Sequence, residues 1–365
     1  MKSKYLNRVI ALASTLVFGL SLVACGNTSD SGDKTNTTNA SVEDNGVSNV
    51  ALTAENFNID DVGEFTIRVG VNSGDGNQYL KVLDDHTNFL KDRGINLETT
   101  EFAAGINTID AITTDQLDVG LFADYAGVNR IGNTLADTQL RAFATISKSN
   151  SYNLYVNPNT IKEPKDLEGH TAISMAGVVF EYDYGKLFET YDIDKSKVEV
   201  VNVSSTQEAI ALAATNGADS YWVNDQVAPK FEEVGWKPLV NLADVDATMY
   251  AFLVANESYL EEHEAEVAKF LAVSNEAFDY IDANLDEFAD WVQADIGLEK
   301  DLVIRGWKEA SHNYTFPQDA YEDLLKVEDW CFKNGNFPTE YDFTDYINTD
   351  ALSLIAPDDV TWKAK

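Results

Sequence analysis

Cysteine and basic residues are both scarce in this 365-residue chain, and each shortage excludes a class of site. The two cysteines and four histidines form no His-Glu-x-x-His motif and no group at zinc-binding spacing, so we expect neither a metal site nor a cofactor. Lysine and arginine number 26 against 61 aspartate and glutamate residues, giving a formal net charge of −35. Nucleic-acid binding and electrostatic attachment to anionic lipid both need clustered basic residues, and both are therefore disfavoured.

Residues 1–24 have the composition of a secretory signal peptide. A basic start precedes an apolar run over residues 9–23, which is shorter than the roughly 20 apolar residues that a membrane span needs. Residues 22–25 (LVAC) resemble the bacterial lipobox, which implies that Cys25 carries a lipid that anchors an extracytoplasmic protein to the cell membrane. The alternative is an ordinary signal peptide with an unrelated cysteine. Residues 25–56 are mostly small and polar, so we expect a flexible tether there.

Strand-like and helix-like segments alternate in the next part of the chain. Residues 65–71 alternate apolar and polar side chains and are predicted to form a strand, as are residues 95–102 and 119–122. Strands separated by helices are typical of parallel β-α-β units. Residues 105–121 and 206–222 are weakly similar, each with the pattern of a helix, a turn and a strand. This repeat indicates two lobes of one design, although helix–turn–strand units also look alike by chance.

From residue 256 onward the pattern changes to long helices. Apolar residues recur there at spacings of three and four through residue 292, and the helical pattern continues toward residue 356. We therefore expect a helical C-terminal portion that packs on one lobe, rather than a third sheet.

Candidate binding residues follow the predicted strands, because open parallel sheets bind ligands at the carboxyl ends of their strands. Each of these residues could instead be an ordinary loop or core residue. Trp222 is the strongest candidate, since we expect a tryptophan at a strand end to stack on a ligand. The predicted site consists of Asn72, Ser73, Asp75, Asn77, Gly105, Asp124 and Tyr125 in the first lobe, and Ser174, Glu181, Tyr182, Ser205, Trp222 and Asp225 in the second, with Asn224 beside them.

Four segments resemble the solute-binding proteins of bacterial ABC transporters of the nitrate, sulfonate, taurine and thiamine-precursor type. They are residues 67–71, 105–120, 166–169 and 218–225, in the order and spacing found in that family. The resemblance implies an α/β protein with the type II periplasmic-binding-protein fold. Two doubly wound lobes would be joined by a hinge and would close around a ligand. The first lobe would comprise residues 57–147 and 248–365, with the C-terminal helices, and the second lobe residues 148–247.

The predicted strand ends favour one class of solute over another. No lysine or arginine lies among them, which weakens a nitrate or sulfonate assignment, although helix N-termini can hold an anion without one. Carboxylates and aromatic rings favour an amine-bearing or aromatic heterocyclic solute instead, because a carboxylate pairs with an amino group and a ring stacks on a π face.

The resemblance implies a non-enzymatic function. We expect the extracytoplasmic solute-binding component of an ABC importer, a monomer that captures one small molecule and delivers it to a membrane permease. A surface-anchored enzyme on the same fold is the alternative, with His170, Glu181 or Asp225 as the acid or base. A structural or adhesive lipoprotein is a third reading and would have no closing cleft.

Overall fold

A computed structural model describes residues 51–72, 75–135, 138–224, 227–310 and 312–365. Within these residues the β-strands are β1 Phe65–Val71, β2 Ile95–Glu101, β3 Gly120–Ala123, β4 Leu140–Ser149, β5 Tyr152–Val156, β6 Thr171–Ser174, β7 Glu199–Asn202, β8 Ser220–Asn224, β9 Lys237–Asn241 and β10 Met249–Asn256. The α-helices are α1 Gly76–Thr87, α2 Asn107–Thr113, α3 Asp124–Thr134, α4 Phe180–Thr190, α5 Thr206–Ala214, α6 Ala228–Glu233, α7 Glu257–Glu262, α8 Glu264–Ala283, α9 Leu285–Ile296, α10 Lys300–Glu309, α11 Gln318–Lys333 and α12 Asp350–Ile355. Residues 1–50, which include the predicted signal peptide and Cys25, lie outside this description.

Two small sheets, β2-β1 and β3-β10-β4, lie side by side in the order β2-β1-β3-β10-β4 and are joined by a single bridge; together we call them the first sheet. Strands β1 and β2 are parallel, and a parallel bridge between Val69 and Val119 joins β1 to the start of β3. Strand β10 then runs antiparallel to both β3 and β4. The predicted strands at residues 65–71, 95–102 and 119–122 are thereby confirmed to within two residues.

The second sheet has the order β7-β6-β8-β5-β9 and repeats the pattern of the first. Strands β7, β6 and β8 are parallel, and β5 runs antiparallel to β8 and β9. In each sheet the third parallel strand follows a short helix: α2 precedes β3, and α5 precedes β8. These two units are the residues 105–121 and 206–222 whose similarity was visible in the sequence, so the repeat is a structural one.

Two connections link the sheets. The chain leaves the first sheet through residues 150–151, between β4 and β5, and returns through residues 242–248, between β9 and β10. We call residues 242–248 the return connection; it contains a 3-10 turn at Leu242–Val245. Two short connections of this kind are the geometry that a hinge between lobes requires.

The C-terminal portion is helical, as predicted. Helix α8 is the longest of the described helices, and its apolar face, with Val267, Phe270, Leu271 and Phe278, is buried. Among the helices of the described residues, none combines the length and apolar character that crossing a bilayer needs. The same residues contain no group of three or more His, Cys, Asp or Glu side chains arranged to hold a metal ion.

Candidate functional site

A cavity of about 760 Å³ lies where the first sheet, the connection at residues 150–151 and the C-terminal helices meet, and we call it the cleft cavity. The carboxyl ends of the first sheet and α1 form one side of it, with Asn72, Asp75, Tyr79, Gly105 and Ala123. Residues 146–152, Met249 and Ala251 form the hinge side. The remaining lining residues described by the structure include Phe278, Gly306, Trp307, Ala310 and His312 from the C-terminal helices and Asn224 from β8.

Asp75 is the one carboxylate among the described residues that line the cleft cavity. It caps α1, because its carboxylate accepts the backbone N–H of Gln78 at 2.8 Å and also the backbone N–H of Asn72. Burial raises the pKa of Asp75 to about 7, with a smaller contribution from the charge of Glu101, while the backbone donors oppose the shift. The cavity therefore contains a carboxyl group that changes charge near neutral pH.

The glycine at position 105 is required by close packing beside the cavity. A Cβ atom there would lie 2.7 Å from Leu121 Cδ1 and 3.0 Å from the Leu121 carbonyl oxygen. The Thr108 hydroxyl stabilises the turn at Gly105, since it donates to the Gly105 carbonyl at 2.7 Å and accepts the Leu121 N–H at 3.0 Å. This fixed turn keeps the start of α2 against β3 and leaves the backbone of Gly105 facing the cavity.

Aromatic rings from the C-terminal helices form one wall. The ring of His312 stacks on Trp307 with centroids 3.6 Å apart and an interplanar angle of 12°, and its Nε2 lies 2.9 Å from the Trp307 carbonyl oxygen. Burial lowers the pKa of His312, so this ring is neutral at pH 7. Phe278 and Tyr79 pack beside Trp307. The wall thus offers uncharged π surface next to the Asp75 carboxylate.

Lys148 is the single lysine or arginine among the described lining residues, and its charge is already paired. Its Nζ lies 2.6 Å from Asp319 Oδ2 and 5.2 Å from the centroid of the Tyr250 ring. On the second-sheet side, the lining consists of Tyr152, whose hydroxyl is hydrogen-bonded to the Asn224 side chain, and of Asn224 itself. The cavity therefore lacks a free cation in the part of the chain that is described.

The structure brings only some of the predicted site residues together. Asn72, Asp75 and Gly105 line the cleft cavity, whereas Ser73 and Asp225 lie outside the described residues. Asn77 is fully buried behind the wall, where its Oδ1 accepts the Tyr314 hydroxyl at 2.5 Å. The prediction that Asn77 contacts the ligand is therefore corrected, because its position in the first turn of α1 directs its side chain into the core.

Four of the predicted site residues lie outside the cleft cavity: Asp124, Tyr125, Glu181 and Tyr182. Asp124 is fully buried and accepts the backbone N–H groups of Tyr125 and Tyr250, both at 2.6 Å. The Tyr125 hydroxyl donates to Glu181, and these two residues line a second cavity of about 450 Å³ between α3, α4 and α11. The ring of Tyr182 packs edge-on against Trp330 nearby, with centroids 5.2 Å apart. Their assignment to the cleft cavity is therefore wrong in this conformation.

Trp222 does not offer a stacking face to a ligand. It lies in the middle of β8 rather than at its end, is fully buried, and meets the ring of Tyr184 on α4 edge-on at 6.2 Å. Ser174 is buried at the end of β6 and does not line the cavity. Ser205 caps α5 by accepting the Glu208 N–H at 3.2 Å. Helix α4 therefore lies against the face of the sheet that carries Trp222.

Sequence reasoning missed the aromatic wall. Phe278, Trp307 and His312 come from two helices and a turn in the C-terminal portion, far from any predicted strand end. Their spacing carries no signal of a site, because an aromatic at helical spacing is normally a core residue.

Residues 82–287, more than half of the chain, match the family described as NMT1/THI5 like. The chain belongs to this family. A protein of Bacillus subtilis (strain 168), provisionally described as binding aliphatic sulfonates, is 24% identical over 260 residues, which cover 70% of this chain and 77% of that protein. The match confirms the family that the four sequence segments indicated.

Two solved structures are similar in fold. The alkanesulfonate-binding protein SsuA from Xanthomonas axonopodis pv. citri, bound to MOPS, has a TM-score of 0.67 at 14% identity and covers 79% of this chain and 99% of its own. The desulfurization enzyme DSZB has a TM-score of 0.60 at 12% identity, and the match covers 80% of this chain and 99% of that enzyme. These likenesses confirm the type II periplasmic-binding-protein fold that the sequence predicted.

Proposed function

We propose that this chain is the extracytoplasmic solute-binding component of an ABC importer. One observation carries the proposal: a cavity large enough for a small organic molecule lies beside the connection at residues 150–151, which links two sets of strands of the same design. The sheets would be the two lobes. The boundary predicted at residue 147 falls inside β4, so the first lobe would run to Ser149 and resume at Met249, and the second would extend from Tyr152 to Asn241. Capture would close Tyr152 and Asn224 over a solute already held by the first lobe, and the closed form would deliver it to a permease.

The solute is proposed to be an amine-bearing or aromatic heterocycle. Asp75 can accept a hydrogen bond from an amino group, and Trp307 lies in a wall of neutral rings suited to a planar molecule. An aliphatic sulfonate is the competing solute, because relatives carry that description. Two features oppose it: the α1 N-terminus, which could hold an anion, is already capped by Asp75, and Lys148 is paired with Asp319.

The protein is proposed to act at the outer face of the membrane, anchored through a lipid on Cys25 and monomeric. This rests on the basic start, the apolar run and the LVAC segment at residues 22–25. A tether to residue 56 would keep the receptor near its permease and raise its effective concentration there.

An enzyme on the same fold is the second candidate, because the desulfurization enzyme DSZB has a similar structure. Of the acids and bases that the sequence offered for this role, His170 and Glu181 do not line the cleft cavity, and Asp225 lies outside the described residues. The Nδ1 atom of His170 lies 2.6 Å from the carbonyl oxygen of Asp166, and Glu181 lines the second cavity. Cys331 is buried, and burial raises the pKa of its thiol, which suppresses the nucleophilic thiolate.

Thermal denaturation of the full chain with two panels of compounds tests the proposal. One panel contains amine-bearing heterocycles such as aminopyrimidines, and the other contains MOPS and taurine. A ligand that binds only the native state raises the melting temperature, by an amount equivalent to about 2.7 kcal/mol at 100 times its Kd. A heterocycle that stabilises the protein and is recovered unchanged supports both function and solute. Stabilisation by sulfonates alone overturns the solute class, and recovery of a converted product overturns the transport function.

A further inference from the structure

Three carboxyl groups with no role in the cleft cavity lie buried together beside the hinge. Asp124 begins α3, Asp183 lies in α4 and Asp323 lies in α11, and their exposed fractions are 0%, 1% and 5%. We call these three residues the carboxyl cluster. Fully buried aspartates are rare unless they are paired, so their hydrogen-bond partners decide their charge.

The surroundings of the carboxyl cluster favour protonated carboxyl groups. The charge of Asp124 acts on Asp323, and the Oδ2 atom of Asp323 is buried without a hydrogen-bond partner among the described residues. Neighbouring carboxylates disfavour double ionisation, so this pair holds a proton more readily than a lone aspartate. For Asp183, no protein group in the described part of the chain donates to either carboxylate oxygen. An ionised Asp183 would therefore be a buried charge without compensation, which is strongly unfavourable.

The surrounding charges do not offset the carboxyl cluster. Lys326 on α11 is the cation that acts on Asp124 and Asp323, but its Nζ lies 2.9 Å from Asp246 Oδ1 on the return connection. Among the described residues, the other titratable groups that act on the cluster carry no positive charge; they are Tyr152 from β5, Tyr182 and Tyr184 from α4, Asp246 itself, Tyr250 from β10 and Cys331 from α11.

The carboxyl cluster spans both sides of the hinge. Asp124 holds the first residues of β10, since its Oδ2 accepts the Tyr250 N–H. Asp323 lies on α11, whose Lys326 also donates to the Asp246 carbonyl at 3.2 Å. Asp183 belongs to α4, which packs on the second sheet and contacts the 3-10 turn at Leu242–Val245. Any change in the charge of the cluster therefore acts between elements of the two sheets.

Burial raises the pKa of Asp183 well above the usual range, and the charges of Asp124 and Asp323 add to the shift. Burial also raises the pKa of Asp124 and of Asp323. When water separates the carboxyl groups, each would titrate near pH 4. The stability that the carboxyl cluster contributes to the packing of α3, α4 and α11 is therefore fully present below about pH 4. It is lost as the pH rises through the raised pKa values of the packed state.

We propose that Asp124, Asp183 and Asp323 form a pH-sensitive lock on the hinge, packed while the cluster holds its protons and loosened when they are lost. The lock joins α3 and α11 of the first side to α4 of the second. Its loosening frees the return connection and shifts the two sheets toward a more open arrangement. The device acts without solute and does not depend on the identity of the solute.

The test uses the full chain without solute and two measurements. Small-angle X-ray scattering follows the radius of gyration between pH 6 and pH 9, and infrared spectroscopy follows the carbonyl absorption of protonated buried carboxyl groups. We expect the radius of gyration of the wild type to rise as the protonated-carboxyl absorption falls. Asp183→Asn has no proton to lose at this position, so its absorption should be weaker and its rise in radius less than half that of the wild type.

Glu328→Gln is the matched control. Glu328 is also a buried carboxyl on α11, and burial raises its pKa to about 7, but it accepts the backbone N–H of Phe343 at 3.1 Å and does not face α4. This variant should keep the wild-type rise in radius. An equal rise in Asp183→Asn and the wild type, or no protonated-carboxyl absorption at pH 7, overturns the proposal. If Asp183→Asn does not fold, Asp323→Asn tests the same cluster.

Discussion

The cleft cavity and the carboxyl cluster adjoin the same hinge, but Asp75 in the one and Asp183 in the other differ in the hydrogen-bond donors that they receive. Asp75 in the cavity receives backbone N–H donors, which oppose the effect of burial and leave its pKa at about 7. Asp183 in the cluster receives no donor from the described residues, and burial raises its pKa well above the usual range. Hydrogen-bond donors, rather than burial alone, thus decide which carboxyl can meet a solute as an anion.

Gly185→Ala should break the packing beside the carboxyl cluster while leaving the cleft cavity intact. A Cβ atom at position 185 would lie 2.1 Å from Cζ2 of Trp330. The indole would have to move, and its Nε1 hydrogen bond to Glu189, at 2.8 Å, would be lost. We expect a loss of roughly 1–3 kcal/mol in the free energy of unfolding, measured by urea denaturation.

Gly63→Ala is the control for that prediction. No atom lies within 4 Å of a Cβ built at position 63, so the change should stay within about 0.5 kcal/mol of the wild type. Equal stability of Gly185→Ala and Gly63→Ala would show that α4 and α11 are not held by the Trp330 contact.

Trp307→Leu should weaken solute binding through the aromatic wall. Stacking of a heterocycle on an aromatic side chain contributes about 1–3 kcal/mol, so the Kd should rise roughly 5- to 150-fold in isothermal titration calorimetry. Trp222→Phe is the matched control, because Trp222 is buried under α4 and should leave the Kd unchanged. A larger rise in Kd for Trp222→Phe than for Trp307→Leu would support the sequence-based prediction that Trp222 stacks on the solute.

The contrast between these two tryptophans shows what the sequence could and could not predict. Strand ends such as Asn72 and Asp75 were predictable, because a β-strand followed by turn residues fixes where the chain leaves the sheet. Trp222 was misplaced because all four residues of β8 from Ser220 to Val223 are buried. A strand covered on both faces shows no polar and apolar alternation from which side-chain direction could be read.

The C-terminal contribution to the site could not be predicted for a different reason. Phe278 and Trp307 follow the apolar spacing of any packed helix, and only tertiary packing decides whether such a ring meets the core or a cavity. The overall fold was more accessible, because the order of strands and helices and the repeat at residues 206–222 are local properties of the chain.

Asp75→Asn should remove the pH dependence of solute binding. With a pKa of about 7, the ionised fraction of Asp75 rises about tenfold between pH 6 and pH 8, so the affinity for an amine-bearing heterocycle should rise by up to that factor. The contribution of Asp75 to the free energy of unfolding changes with pH in the opposite direction to the affinity. Because its pKa is raised in the folded protein, that contribution is present at low pH and is lost as the pH rises through 7. Asparagine keeps the helix cap but not the charge, so its affinity profile should be flat in calorimetric titrations. A flat profile in the wild type would remove Asp75 from recognition.

Ser205→Ala should have the smallest effect, and it separates a helix cap from a ligand contact. Ser205 was predicted to bind the solute, but its hydroxyl accepts the Glu208 N–H that begins α5. Loss of that cap should lower the free energy of unfolding by about 1 kcal/mol and leave the Kd unchanged. The same two measurements on Ser204→Ala provide the comparison, since the Ser204 hydroxyl donates to Glu208 at 3.0 Å on the exposed surface. A weakened Kd in Ser205→Ala alone would mean that the second sheet reaches the solute through this loop when the cleft closes.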